Sequence, residues 1–405
     1  MRHTDGDVDP HLPASAPGAD PPVSAGPLGD LRVVEVAGIG PAPLGAMLLA
    51  DLGADVIRLD RPGGHTFSPL PHHLDILNRG RRSIVLDLKD SADRATALDL
   101  VADADVLIEG FRPGVAERLG IGPEQCRALN PRLVYARMTG WGQEGPLARQ
   151  VGHDLNFVAR TGALDTIGAG DGPPTIPVNY LGDFGGGGMY LAFGILAAVH
   201  HAEVTGRGQV LDVAITDGTA LLLTMLHSWR AAGIWEDHRE SNLLDGGAHY
   251  YHVYQTSDGR HLAVGALEPA FYAAFLAGLG VEADEEWWAA HGDRTRWPAM
   301  RERVAAIIAQ RTLQEWSEVY EGTDACVAPV LTVAEAARDA HNVARKTYVT
   351  VDGNLQAAPG PRFSDTPAAP PGSPPDPGQH TDEIRRGLTT GEAWRERRPP
   401  SWRHG

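Results

Sequence analysis

Over the first third of the chain, short runs of β-branched and aliphatic residues alternate with stretches of helical spacing. Arg32-Val33-Val34-Glu35-Val36-Ala37 has the make-up of a buried strand and stops at Gly38-Ile39-Gly40-Pro41. Residues 42–52 place apolar side chains at helical spacing, Gly53 ends them, and Asp55-Val56-Ile57-Arg58-Leu59-Asp60 is a second strand. The opening is therefore a βαβ unit. The same alternation predicts strands at 83–88, 105–109 and 133–138, with helices at 91–103, capped by Ser91, and at 122–129. Strands alternating with helices predict an α/β domain built on a doubly wound, Rossmann-like, mostly parallel sheet.

Further along, the texture changes. Helices are expected from 189 to 235, then a hairpin over 250–266 that turns at Ser257-Asp258-Gly259. Tryptophan-bearing helices follow from 285 to 320, and a returning strand at 324–330. The expected organisation is a large domain of residues 27–229 and 331–365 with a smaller α+β domain of residues 230–330. Residues 1–26 offer almost no large apolar side chain to offset the entropy of ordering, and are expected as a disordered extension. Residues 366–405 are expected as a Pro-rich, polar tail with at most a short helix at 383–387.

Composition narrows the choice of partner. The 405 residues are 42% hydrophobic and carry a net charge of −17, a field that repels phosphate backbones and argues against nucleic acid. A local group of arginines still stands out: Arg58, Arg61, Arg79, Arg81, Arg82, Arg112 and Arg118. The sequence leaves two readings of it open, solvated surface and a site for a nucleotide phosphate. Two cysteines, Cys126 and Cys326, have no metal-ligand spacing, so a reducing, cytoplasmic setting without a metal site is expected. The start lacks an apolar signal core and the apolar run 191–199 is short for a bilayer, so no membrane partner is expected.

The candidate chemistry is ambiguous residue by residue. Gly38, Gly40 and Gly45 after the first strand invite a dinucleotide site, but Pro41 and Pro43 remove amide donors that a phosphate needs, and a plain tight turn fits as well. His153 reads as a packed, surface or catalytic histidine. Asp154 reads as the cap of a helix beginning at Leu155, Asp183 as a turn residue before four glycines, and Glu268 as a helix entry before Pro269.

Taken together, these residues lie in ordered motifs. Arg137-Met138-Thr139-Gly140-Trp141-Gly142-Gln143, Gly152-His153-Asp154-Leu155-Asn156-Phe157 and Asp183-Phe184-Gly185-Gly186-Gly187 are three of them. Leu244-Asp245-Gly246-Gly247-Ala248, Ala263-Val264-Gly265-Ala266-Leu267-Glu268-Pro269 and Asp324-Ala325-Cys326-Val327-Ala328-Pro329-Val330 complete the set. With the opening βαβ unit, residues 27–365 resemble a family III CoA transferase (CaiB/BaiF), and more narrowly that family's racemase branch. The resemblance implies interlocked homodimers and a substrate that brings its own CoA, with no further cofactor. It also implies fatty-acid or related lipid metabolism and interconversion of (2R)- and (2S)-2-methylacyl-CoA by 1,1-proton transfer through an enolate. His153 and Asp183 are then the proton-transfer pair, and Glu268, from its own or the other subunit, orients His153. CoA binding carries over to Arg61, Leu86, Asp87, Leu88 and Lys89, to Gly152, Leu155, Asn156 and Phe157, and to Arg112 and Arg118. In the transferase branch the residue matching Asp154 attacks the acyl-CoA, which is the alternative reading. The chain departs from the family at His249, where proline is more usual, in the loop 63–77 and in the extension.

Overall fold

The computed structural model describes residues 26–64 and 70–395. The extension expected to be disordered lies outside these residues except for Gly26, as does the middle of the loop 63–77. Six strands form one parallel sheet: β1 (Arg32–Val36), β2 (Asp55–Asp60), β3 (Arg81–Val85), β4 (Val106–Glu109), β5 (Val134–Thr139) and β6 (Val210–Ala214), in the order β3-β2-β1-β4-β5-β6. This is the doubly wound order, whose direction of winding reverses between β1 and β4. β6 corrects the expectation of unbroken helix over 189–235. Only Val213 and Ala214 of it are buried, so its apolar signal is too short to stand out between two helices.

Side chains alternate across the sheet, and each face has its own core. Val33, Val56, Val106 and Val134 face Ala46 and Leu49 of α1 (Pro41–Asp51), with Leu191 and Ile195 of a long helix described below. Val34, Ile57, Leu107 and Tyr135 face Leu100 and Val101 of α2 (Ser91–Ala102). The cap of α2 is Asp90, whose carboxylate accepts from the amides of Ala92 and Asp93, rather than Ser91. Two short helices follow, α3 (Val115–Arg118) and α4 (Pro123–Leu129).

The expected tail is folded. A helix over Thr381–Thr390 buries Ile384 completely, and Trp394 is 7% exposed in the same core. The backbone of edge strand β3 is closed by this segment: Ser83 N–H donates to His380 Nδ1 (3.1 Å), Val85 N–H to Thr381 Oγ1 (3.2 Å), and His380 N–H to the Ser83 carbonyl (2.9 Å). A few apolar side chains at helical spacing suffice here, because the polar ones cover an edge that would otherwise offer free hydrogen bonds.

The chain divides into two compact units. One holds the sheet and comprises the residues up to Phe157, Asn179–Leu221 and those from Ala340; the other comprises Val158–Val178 and Leu222–Asp339. Composition gives no sign that 158–178 joins the second unit. That unit has a three-stranded antiparallel sheet, β7 (Tyr251–Gln255), β8 (His261–Gly265) and β9 (Val327–Pro329). Its core gathers Tyr272, Phe275, Trp287 and Trp316. His249 is fully buried there with Nε2 2.7 Å from the Tyr272 hydroxyl, and burial pushes its pKa down to about 3, so it is a neutral core residue.

Candidate active site

A cavity of 1270 Å³ opens in the first unit at the C-terminal ends of the strands. Its wall is made of the segments that leave them: Val36–Gly40 after β1, Arg61 and Pro62 after β2, Gly110–Arg112 after β4 and Thr139–Trp141 after β5. Reversal of the winding between β1 and β4 parts the loops on either side and leaves this crevice.

Two of the proposed acid–base groups meet in it. His153 stands just before α5 (Asp154–Thr161), and its N–H donates to Asn156 Oδ1 (3.1 Å), closing the first turn. Gly152 before it is clasped by aromatic rings: a Cβ there would lie 2.7 Å from Phe157 and 3.2 Å from Trp141, which are themselves packed edge to face at 4.7 Å. Asp183 belongs to a π-helical segment, Tyr180–Met189, that runs directly into α6 (Tyr190–Thr205). Its glycines permit close packing. A Cβ on Gly188 would lie 2.8 Å from Leu44, and one on Gly186 would lie 2.5 Å from Thr219 Oγ1. Asp183 is thus a helical residue and not part of a turn. The joined run of 26 residues is long and apolar enough to cross a membrane by length and composition, which corrects the estimate made from 191–199; Leu191, Ile195 and Ala198 face the core.

The charges in the cavity are set by burial. Burial pushes the Asp183 carboxyl up to about 6, the nearby charge of Asp154 adds to the shift, and a hydrogen bond from Asn179 and the charge of His153 oppose it. A carboxyl near 6 both gives and takes a proton at neutral pH. Asp154 has a different task. It is 9% exposed, does not line the cavity, and its Oδ1 accepts from the Asp183 N–H at 2.7 Å. Burial raises its pKa, and the amides of Asp183 and Gly182 hold it back down. The carboxylate expected either to cap α5 or to attack a thioester ties the head of α5 to the Asp183 segment instead.

Of the residues assigned to CoA, Arg61, Leu86, Asp87, Leu88 and Lys89 line the cavity, as do Arg112, Gly152 and Phe157. Arg118, Leu155 and Asn156 do not; Asn156 is engaged with the His153 amide, and Arg118 is exposed beside Gly114. Glu268 is exposed at the head of a helix, Pro269–Gly278, in the second unit. The arginine group divides. Arg58 pairs with Asp60 (3.0 Å), Arg79 with Asp51 (2.6 Å), Arg82 with Asp55 (2.7 Å) and Arg81 with Glu35, all of them buried. These four brace the sheet, while Arg61 and Arg112 face the cavity.

Sequence reasoning missed Asn179 and the part that Gly40 plays beside Asp183. Asn179 lines the cavity and bonds the Asp183 carboxyl from four positions upstream. Gly40 has φ +70°, and a Cβ on it would stand 3.1 Å from Asp183 Oδ2, so its bare backbone makes room for the acid. The glycine pattern that suggested a dinucleotide turn serves packing: a Cβ on Gly45 would lie 2.8 Å from Leu191.

Residues 28–381 match the family model described as CoA-transferase family III. The chain is 43% identical over 360 residues to alpha-methylacyl-CoA racemase of Mus musculus, covering 88% of this chain and 92% of that one. Acetyl-CoA:oxalate CoA-transferase of Acetobacter aceti is 32% identical over 86% of this chain and 92% of its own. The crystal structure of a CAIB/BAIF family protein from Brucella suis superimposes with a TM-score of 0.76 at 28% identity, over 90% of this chain and 100% of that one. A doubly wound sheet of the same build, with sequence likeness along nearly its whole length, leaves one conclusion: this chain belongs to CoA-transferase family III.

Proposed function

We propose that the protein interconverts the two configurations of 2-methylacyl-CoA thioesters, with His153 and Asp183 as the proton-transfer pair. One observation carries this reading. His153 and Asp183 line the same cavity, near enough for the charge of His153 to act on the Asp183 carboxyl, while the aspartate a transferase would use is held by backbone amides outside it. The high identity to the mouse racemase supports it.

The reaction follows from the groups. One of the pair removes the α-proton, and the electron pair left on carbon moves onto the thioester oxygen as an enolate. The other returns a proton to the opposite face, and the roles exchange with substrate configuration. The pair therefore shares one proton at the start and at the end. The positive end of α5, which begins beside His153, is assigned to the negative charge developing on the enolate. Arg61, Lys89 and Arg112 are assigned to the phosphates of CoA, and Glu268, from the same chain or across a dimer, to the tautomer of His153. No other cofactor or metal enters this scheme. Exposed Met189 and Phe193 on the α6 side, at 56% and 69%, support a homodimer. A cytoplasmic role in branched-chain lipid metabolism completes the proposal.

The direct test is to incubate the enzyme with (2S)-2-methylacyl-CoA in heavy water and follow deuterium at C2 by mass spectrometry. Exchange at C2 with the thioester intact is expected; a strict need for a carboxylate acceptor, with a trappable acyl-enzyme, would establish the transferase instead. Asp154→Asn separates the two readings further. A nucleophile cannot survive that change, whereas the amide oxygen can still accept from the Asp183 N–H. Exchange within about tenfold of wild type is expected. The pH profile carries a sign as well. Once both members of the pair hold a proton no base remains, and Asp183 takes up its proton near 6, so the rate falls on the acid side of that point. Removing the negative neighbour at 154 stabilises the ionised carboxyl, and the acid limb should move to lower pH.

A further inference from the structure

We infer that a second cavity, beside the first, receives the far end of the acyl chain and limits it to a short, uncharged tail; the inference rests on the racemase reading. This cavity measures 270 Å³ and shares Gly38, Ile39, Gly40 and Leu77 with the main one. Gly40 is also the residue against which the Asp183 carboxyl packs, at 3.1 Å from its would-be Cβ. An acyl group with its α-carbon at Asp183 therefore has the side cavity across the Gly38–Gly40 turn, with Ile39, 47% exposed, at the junction.

The walls say what fits. Pro43 and Leu77 contribute apolar surface, and so do Pro375 and Pro377 from the C-terminal segment. His72 also lines the cavity and is exposed, whereas the charged floor is already matched within itself. Arg58 donates to Asp60 (3.0 Å) and to Asn78 Oδ1; Ser83 donates to Asp60 (2.6 Å), and Asn78 to Asp75 (2.8 Å). A floor satisfied in this way needs no ionic ligand, and the carboxylates of Asp60 and Asp75 repel an anionic tail. At roughly 30 Å³ for each water-sized group, the space holds about nine non-hydrogen atoms. That suits a short branched alkyl chain and is small for a fused-ring one.

Deuterium exchange at C2 is measured for isobutyryl-CoA, 2-methyldecanoyl-CoA, 2-methylhexadecanoyl-CoA and a 2-methyl ω-carboxyacyl-CoA, with wild type and Pro375→Trp. Wild type is expected to prefer 2-methyldecanoyl-CoA by kcat/KM over both the longer and the ω-carboxy thioesters. Pro375→Trp fills the side cavity without touching the main one. It should lower kcat/KM for 2-methyldecanoyl-CoA at least tenfold and leave isobutyryl-CoA unchanged. Equal loss or no loss on the two overturns the inference if the variant is folded. Should Pro375→Trp be unfolded by circular dichroism, Pro377→Trp, which also lines the side cavity alone, decides by the same ratio of long to short substrate. Wild type that prefers the hexadecanoyl or ω-carboxy substrate overturns it outright. Wild type that exchanges none of them removes the racemase reading, and this inference with it, so the two failures are told apart.

Discussion

Asp183→Asn should lower interconversion of the (2R) and (2S) thioesters by roughly 10²–10⁴-fold, the range in which general acid–base catalysis acts. The amide keeps the size of the carboxyl and its seat against Gly40, but it neither gives nor takes a proton at neutral pH. Binding of CoA should persist, because the cavity wall is otherwise unchanged. The fold should not suffer either. In the wild type the carboxyl is pushed up to about 6, chiefly by burial and then by Asp154. The folded state thus holds this proton more tightly than the unfolded chain does. The group's contribution to stability is full below the ordinary aspartate range and is lost as pH rises through about 6. Asp183→Asn removes that loss, so Tm measured from pH 4 to 7 should decline less steeply than in wild type. His153→Ala should match it in loss of interconversion, and the double variant should fall little further, because the two act as one unit. Full interconversion by either single variant would take that residue out of the mechanism.

Arg81→Ala should destabilise the protein by about 3–5 kcal/mol, the usual cost of leaving one member of a buried ion pair behind. Arg81 and Glu35 both have side chains at 0% exposure. The guanidinium also donates to the carbonyls of Leu77 and Pro43, which joins β3 to the first turn of α1 and so to the Gly40 wall of the cavity. Its loss strands Glu35, one of whose oxygens already has no partner. Against a typical total of about 5–15 kcal/mol this is a large fraction. Urea unfolding should show the midpoint falling with little change in slope. Removing both charges, as in Arg81→Met with Glu35→Leu, should recover most of it; a single variant within 1 kcal/mol of wild type, on the order of surface substitutions, would contradict the account.

Strands β1, β2, β4 and β5 of the large sheet were legible because each is a short apolar run, whereas β3, expected at 83–88, is Arg81–Val85, its two arginines admitted to the sheet by buried ion pairs. β6 was not legible, since its outer half is solvated and it lies between helices. Charge was harder to read than pattern. The arginines looked like an anion site because sequence counts them together, whereas Glu35 and Asp55 reach Arg81 and Arg82 only through assembly of the sheet, and Asp51 reaches Arg79 only through packing of α1. His153 and Asp183 were legible as a pair only by likeness to a family, and taken singly each had an ordinary explanation. The glycine run hid its own meaning. It reads as a loop, and only a neighbour pressed against each missing side chain makes it a helix.

The closure of β3 by residues 380 and 381 bears on how the protein comes to be folded. Ser83 and His380 are 297 positions apart, so the edge of the main sheet emerges from the ribosome long before the segment that covers it. Until translation delivers that segment, a strand with bare amides is presented to other nascent chains and to chaperones. Shortened versions ending before Gln379 would therefore be expected in inclusion bodies, whatever becomes of their catalytic residues.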